Sequence, residues 1–293
     1  MKAGFGKKVI HTLRKLSIKK LILYVFMIGL VMFTSLPLIY VVSTAFKPMN
    51  ELFIFPPTFF VRNPTTQNFN DLLMSLSTSA VPFSRYLFNS VVVTGFTVIS
   101  TLAVCSLGAY GLVKHKPAGG NVIFAIIIAA LMFSSHVTQI PRYLVVNSLG
   151  IINTYAALVL PYIAVAYNFF LMKQFIEQFP DELIEAARID GAKEAYLFWR
   201  VVMPSLRPAW STLIMLSFVS SWNDYFSPLI FTSSQTMKTL PLALQTIAGG
   251  PASIGRLGAV AAATFVMTIP TLVIFMIMQS KVMETMVHSG IKA

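Results

Sequence analysis

The chain has 293 residues, 56% of them hydrophobic and only 11% charged, with a mean hydropathy of +0.74. A water-soluble domain carries about 25% charged residues, so a surface of this size facing only water is excluded, and much of it must face lipid. The net charge of +12 does not argue for nucleic-acid binding, because the basic residues sit in short stretches between apolar runs, where orientation signals belong.

A helix needs about 20 mostly apolar residues to cross roughly 30 Å of hydrocarbon. Six stretches qualify: 21–46, 86–113, 121–140, 154–172, 209–231 and 257–279. The expected fold class is all-α, a polytopic membrane protein with six transmembrane helices. The first run is too long for a cleaved signal peptide and lacks a small-residue cleavage pattern, so it reads as a retained helix. Ser134, Ser135 and His136 weaken the third stretch, and Pro161 interrupts the fourth. Neighbouring helices can satisfy the carbonyl such a proline frees.

Lysine and arginine placement sets the orientation. With the N-terminus inside, sixteen of the 22 basic residues fall on the inner side and six on the outer, which places both termini in the cytoplasm. Four segments follow: a basic cytoplasmic segment 1–20, the first helix with a long external loop 21–85, a five-helix core 86–280, and a tail 281–293. In the first segment Val9, Ile10, Leu13 and Leu16 interleave with basic residues. It reads either as a plain orientation anchor or as an interfacial helix on the anionic leaflet. Phe55-Pro56-Pro57 and Asn63-Pro64 mark turns in the outer loop. No internal repeat is present. Cys105, the single cysteine, lies in an apolar run, and His11, His115, His136 and His288 show no metal-ligand spacing.

The one long inner loop is 173–208. Pro180-Asp181-Glu182 suits a helix start, since proline fits the first turn and acids complement the positive end of the dipole. Leu183, Ile184 and Ala187 share a face. Gly191 stands where that helix would end in a left-handed turn. A second helical run carries Tyr196, Phe198, Trp199, Val201 and Val202 before Pro204 and Pro208 close the loop. Two short helices around a glycine fit a groove-binding element or an amphipathic connector on the bilayer, and periodicity does not separate the two.

Glu185-Ala186-Ala187, Asp190-Gly191-Ala192, Phe198, Val202, Pro204 and Pro208 resemble the EAA loop of permease subunits of binding-protein-dependent ABC importers. Ser221-Trp222-Asn223-Asp224-Tyr225, Pro228-Leu229, Thr239-Leu240-Pro241, Tyr86–Asn89, Gly108-Ala109-Tyr110 and the ending His288–Ala293 are similar to landmarks of the maltose-type sugar permeases. The stretch Gly249–Ser253 departs from that family, which often has an aromatic and acidic sequence there. The resemblance implies a type I importer transmembrane domain in a bacterial or archaeal cytoplasmic membrane, forming half of a path for a carbohydrate, with an oligosaccharide expected. It implies a second homologous permease, two ATPase subunits and an extracytoplasmic solute-binding protein as partners. Glu185, Ala186, Ala187, Asp190, Gly191 and Ala192 would dock the ATPases. The chain has no GxxxxGK[ST] loop, so it is expected to be no enzyme and to hold no cofactor or metal, with ATP and magnesium in the partner ATPases.

Two other classes are weighed. An ion-coupled secondary transporter would show inverted repeats and intramembrane charges, and a membrane-embedded enzyme would show a nucleophile–base pair or metal ligands in its spans. Asp224 is the one clear intramembrane acid. It reads as a functional group or as a hydrated carboxylate in an aromatic belt with Trp222 and Tyr225. Polar residues able to line a sugar path are Asn89, Thr94, Tyr162, Asn168, Ser220 and Asn223. The same residues also suit hydrogen bonds between helices.

Overall fold

The computed structural model describes residues 18–77, 81–249 and 254–290. Among them every regular element is helical. In chain order these are α1 (Ile18–Phe46), α2 (Met49–Leu52), α3 (Gln67–Ser77), α4 (Phe83–Lys114), α5 (Gly120–Leu131), α6 (Gln139–Ser148), α7 (Tyr155–Val159), α8 (Ala166–Glu177), α9 (Asp181–Ile189), α10 (Glu194–Tyr196), α11 (Met203–Ser205), α12 (Arg207–Trp222), α13 (Phe226–Phe231), α14 (Leu240–Ala248) and α15 (Leu257–Gly290). A 3-10 turn, Leu160–Tyr162, follows α7, and a π-helical turn, Leu197–Val202, joins α10 to α11. The interfacial-helix reading of the N-terminal tail lies outside the described residues up to position 17, as do 250–253 of the divergent outer stretch and the last three residues.

Three helices are individually long and apolar enough to cross a bilayer: α1, α4 and the Leu257–Val282 part of α15. A fourth crossing results if Tyr155–Tyr162 and Ala166–Glu177, bent by 47°, make one span. The other expected spans are not single rods. The stretch 121–140 forms α5, of 12 residues, and then turns through Met132–Thr138 into α6. The stretch 209–231 stops at Trp222 and resumes at Phe226. Each break has a local cause. Ser134 Oγ accepts from the His136 amide and Thr138 Oγ1 donates to the Ser135 carbonyl, so short side chains compete with the helical ladder. Asp224 Oδ1 accepts from the amides of Phe226 and Ser227, both at 3.0 Å, and so starts α13 as a new helix.

The chain divides into two compact units. The first contains residues up to Asp71 together with Leu257–Phe265. Here α1 is exposed along nearly its whole length and buries only Thr44 and Ala45, as a helix bathed in lipid would. Beyond it the segment after α1 is ordered by buried polar groups. Asn68 donates to the Ala45 carbonyl at 2.9 Å and to the Lys47 carbonyl at 2.7 Å. These carbonyls at the end of α1 have no intrahelical partner. Glu51, buried, accepts from the Arg62 and Asn63 amides, and those hydrogen bonds hold its carboxyl below the usual carboxylate range.

The second unit spans Leu72–Arg256 and continues from Val266. One apolar core joins Cys105, Ala109 and Tyr110 of α4 to Met172 and Ile176 of α8, Ile184 of α9, and Leu197, Phe198, Val202, Met203 and Leu213. Small residues let α4 and α8 approach closely: a Cβ on Gly108 would stand 2.9 Å from Phe169 Cε2. Cys105 is buried there as a small apolar side chain.

Candidate functional site

Two cavities open among the broken helices. One, of about 250 Å³, is lined by residues that include Ser90, Thr94 and Thr97 of α4, Tyr162, Asn168 of α8, Ser220 of α12 and Asp224. Another, of about 640 Å³, shares Tyr162, Val165, Tyr167, Ser220, Asp224 and Ser227 with it and extends to Ser135, Thr138, Gln139 and Arg142. All three breaks contribute to the larger lining: Phe133 and Ser135; Pro161, Tyr162, Ala164 and Val165; and Asp224.

Asp224 spends one carboxylate oxygen on capping α13 while the residue lines both cavities. The Tyr162 hydroxyl pairs with Ser227 Oγ and accepts from Arg142 Nη1 at 3.1 Å. The guanidinium also lies 4.9 Å from the Tyr162 ring centroid, a cation–π arrangement. Asn168 Nδ2 donates to Ser217 Oγ at 3.1 Å. Thr97 Oγ1 and Thr239 Oγ1 are buried without a hydrogen-bond partner among the described residues, and both residues line the smaller cavity. Hydroxyls, an amide, two tyrosines, a carboxylate and a guanidinium thus converge on one space. That set can donate to and accept from a polyhydroxylated ligand and offer it an aromatic face. Among the described residues no cluster suits a metal ion.

Of the residues singled out in the sequence, Thr94, Tyr162, Asn168, Ser220 and Asp224 meet at the cavities. Asn89 and Asn223 do not line either one. Asn89 is fully buried, and its side chain is committed. Its Nδ2 donates to the carbonyls of Thr236 and Lys238 at 2.8 Å each, and its Oδ1 accepts from the Tyr155 hydroxyl at 2.7 Å. Asn223 donates to the Val219 carbonyl of its own helix at 2.8 Å. The Asn89 bonds run to other segments of the chain, whereas that of Asn223 stays within its own helix. Arg142 and Tyr167 were missed. The signal for Arg142 was an isolated basic residue, the only lysine or arginine between Lys116 and Lys173, in a stretch read only for orientation.

The loop 173–208 forms α9, a turn at Gly191 with φ +84°, and α10 leading into the π-helical turn. Glu185 and Ala186 are exposed, Ala187 and Ala192 half-buried, and Asp190 exposed. Ile184 packs into the core, while Leu183, Ile189, Tyr196 and Trp199 face outward, Ile189 with 86% of its surface exposed. Two clasps hold the loop against the end of α4. Lys114 Nζ donates to the Phe179 carbonyl at 2.7 Å and pairs with Asp181 at 2.6 Å, its side chain only 5% exposed. The Tyr110 hydroxyl donates to Glu194 Oε2 at 3.0 Å, and Arg188 pairs with Glu194 Oε1 at 2.6 Å. The Lys114 hydrogen bond and charge hold the Asp181 carboxyl below its ordinary range. Burial pushes Glu194 upward, but the hydrogen bonds from Arg188 and Tyr110 outweigh it and leave that carboxyl lowered.

The family described as "Binding-protein-dependent transport system inner membrane component" matches residues 100–283. The chain is 26% identical over 276 residues to the arabinooligosaccharides transport system permease protein AraQ of Bacillus subtilis, covering 94% of this chain and 97% of that one. It is 31% identical to the sn-glycerol-3-phosphate transport system permease protein UgpE of Yersinia enterocolitica, over 72% of this chain and 75% of the relative. A bacterial ABC transporter involved in import of the acidic polysaccharide alginate contains a chain of similar fold, with a TM-score of 0.79, 23% identity, and coverage of 90% of this chain and 96% of that chain.

Proposed function

Because this chain belongs to the family of binding-protein-dependent transport system inner membrane components, and is a permease subunit of an ATP-driven importer, we propose that its cargo is an oligosaccharide and that the cargo passes through the two cavities. The observation that carries this reading is the convergence of three helix breaks on one polar space. Irregular backbone at membrane depth is tolerated where it lines a water-filled cavity, and broken helices flank the substrate in other transporter folds. The lining supplies hydroxyl, amide and aromatic groups together, which suits a sugar.

In the assembly we envisage, a second permease completes the path, a solute-binding protein delivers the sugar outside, and two ATPase subunits bind ATP and magnesium inside. The loop at Glu185–Ala192 docks those ATPases. Its support is the match to the EAA pattern and the outward apolar side chains around a left-handed glycine. Six crossings with both termini inside remain our reading of the topology, the third to fifth being the broken ones.

Uptake of labelled saccharides by cells deleted for this chain, and by cells complemented with it, tests the cargo. Arabino-oligosaccharides, alginate oligosaccharides and sn-glycerol 3-phosphate form the panel. Saccharide uptake is expected to disappear on deletion, return on complementation and fall with Tyr167→Ala. Loss confined to sn-glycerol 3-phosphate, or to no member of the panel, would refute the sugar assignment.

A further inference from the structure

Helix α4 is fastened by polar groups at both ends and lines the cavity between them. At its start Arg85 Nε donates to the Thr236 carbonyl at 3.1 Å, Asn89 holds the Thr236 and Lys238 carbonyls, and Ser90 Oγ accepts from the Leu240 amide at 2.8 Å. Ser90, Val93, Thr94 and Thr97 line the smaller cavity. At its end Tyr110 and Lys114 grip the inner loop on both sides of α9, at Glu194 and at Phe179 and Asp181. The helix has 32 residues without an internal proline. At 1.5 Å per residue it is about 48 Å long.

We infer that α4 is the mechanical link between the ATPase-docking loop and the cavity, and that Lys114 and Tyr110 are the positioning residues that make the link stiff. The inference rests on the docking role proposed for the loop. A buried ammonium that meets both a carbonyl and a carboxylate is a charge-assisted anchor of defined geometry. The loop has a second, independent anchor through Glu194, which also pairs with Arg188 of α9. Movement of α9 is therefore passed to the end of α4 and not absorbed by a slack connection. Because α4 carries one wall of the cavity, the displacement reaches the cargo path and, at the far end, the segment 236–240.

The test uses the assembled transporter, purified through a tag on this chain with its native partners and reconstituted in liposomes. Ser220→Cys places a thiol at the cavity, while Cys105 is fully buried. The readout is the change in thiol-labelling rate on adding magnesium-ATP, measured with ATP hydrolysis. In the Lys114→Met background the ATP-dependent change is expected to fall roughly tenfold, the scale of one charge-assisted hydrogen bond, while the ATPase subunits stay bound and hydrolyse ATP. Lys114→Arg should restore most of it. Tyr110→Phe removes one hydroxyl with no change of shape, and should reduce the change in the same direction; it decides the matter if Lys114→Met fails to accumulate. An undiminished ATP-dependent change in both Lys114→Met and Tyr110→Phe would overturn the link. Glu185→Lys and Gly191→Asp separate the two readings. If these keep the ATPase subunits and the ATP response, docking and link fall together; if they lose them while the Lys114 and Tyr110 variants respond fully, only the link falls.

Discussion

Half exposed at the loop surface, Glu194 accepts from Arg188 on one oxygen and from Tyr110 on the other. Its carboxyl is held below the usual range in the folded chain. A depressed folded value means that the stabilising contribution is complete above the unfolded value, about 4.3, and is lost as pH falls through the lower folded value. The purified chain in detergent should therefore melt at a higher temperature than Glu194→Gln at neutral pH. That gap should close below about pH 4. A gap that persists at acid pH would mean that the glutamine disturbs packing and not charge. Asp181, lowered by Lys114, acts in the same direction and same window, so the loop loosens on acidification from both clasps.

At the scale of elements, the break between α12 and α13 separates two roles of Asp224. Its Oδ1 caps α13, and an asparagine keeps that acceptor while removing the charge. Asp224→Asn should leave membrane abundance near normal and lower uptake, whereas Asp224→Ala should also destabilise the chain by about 0.5–2 kcal/mol, the cost of a lost cap. Normal uptake with Asp224→Asn would leave the residue a cap alone. The three long helices were legible in the sequence because their apolar runs are continuous and each ends at basic or turn residues. The breaks were only partly so. Ser134, Ser135, His136 and Pro161 flagged two of them, but Ile163, Ala164 and Val165 are apolar residues that look like uninterrupted span. There Thr101 donates to the Tyr162 carbonyl, which the broken ladder leaves open; such a contact from a distant helix is not visible in the local sequence. Gly191 was legible because few residues tolerate its φ of +84°. Lys114 was not, since a lysine at the end of a span reads as an orientation signal whether or not it is buried.

For the whole molecule, the bias of basic residues predicts which surfaces meet which compartment. Single cysteines at Asn63 or Ser234 should react with an impermeant thiol reagent added outside intact cells, and one at Gly119 should not. Labelling at Gly119 would invert the inner side, and with it the location of the docking loop. The lengths of α1, α4 and α15, at 29, 32 and 34 residues, have a separate consequence. At 1.5 Å per residue they run to about 44–51 Å, well beyond a hydrocarbon layer of roughly 30 Å. The surplus is accommodated by tilting or by standing proud of the membrane. Acyl-chain length then becomes a control on the protein: in thicker bilayers the long helices are expected to stand more upright, while α5, at 12 residues, is too short to cross such a layer by itself.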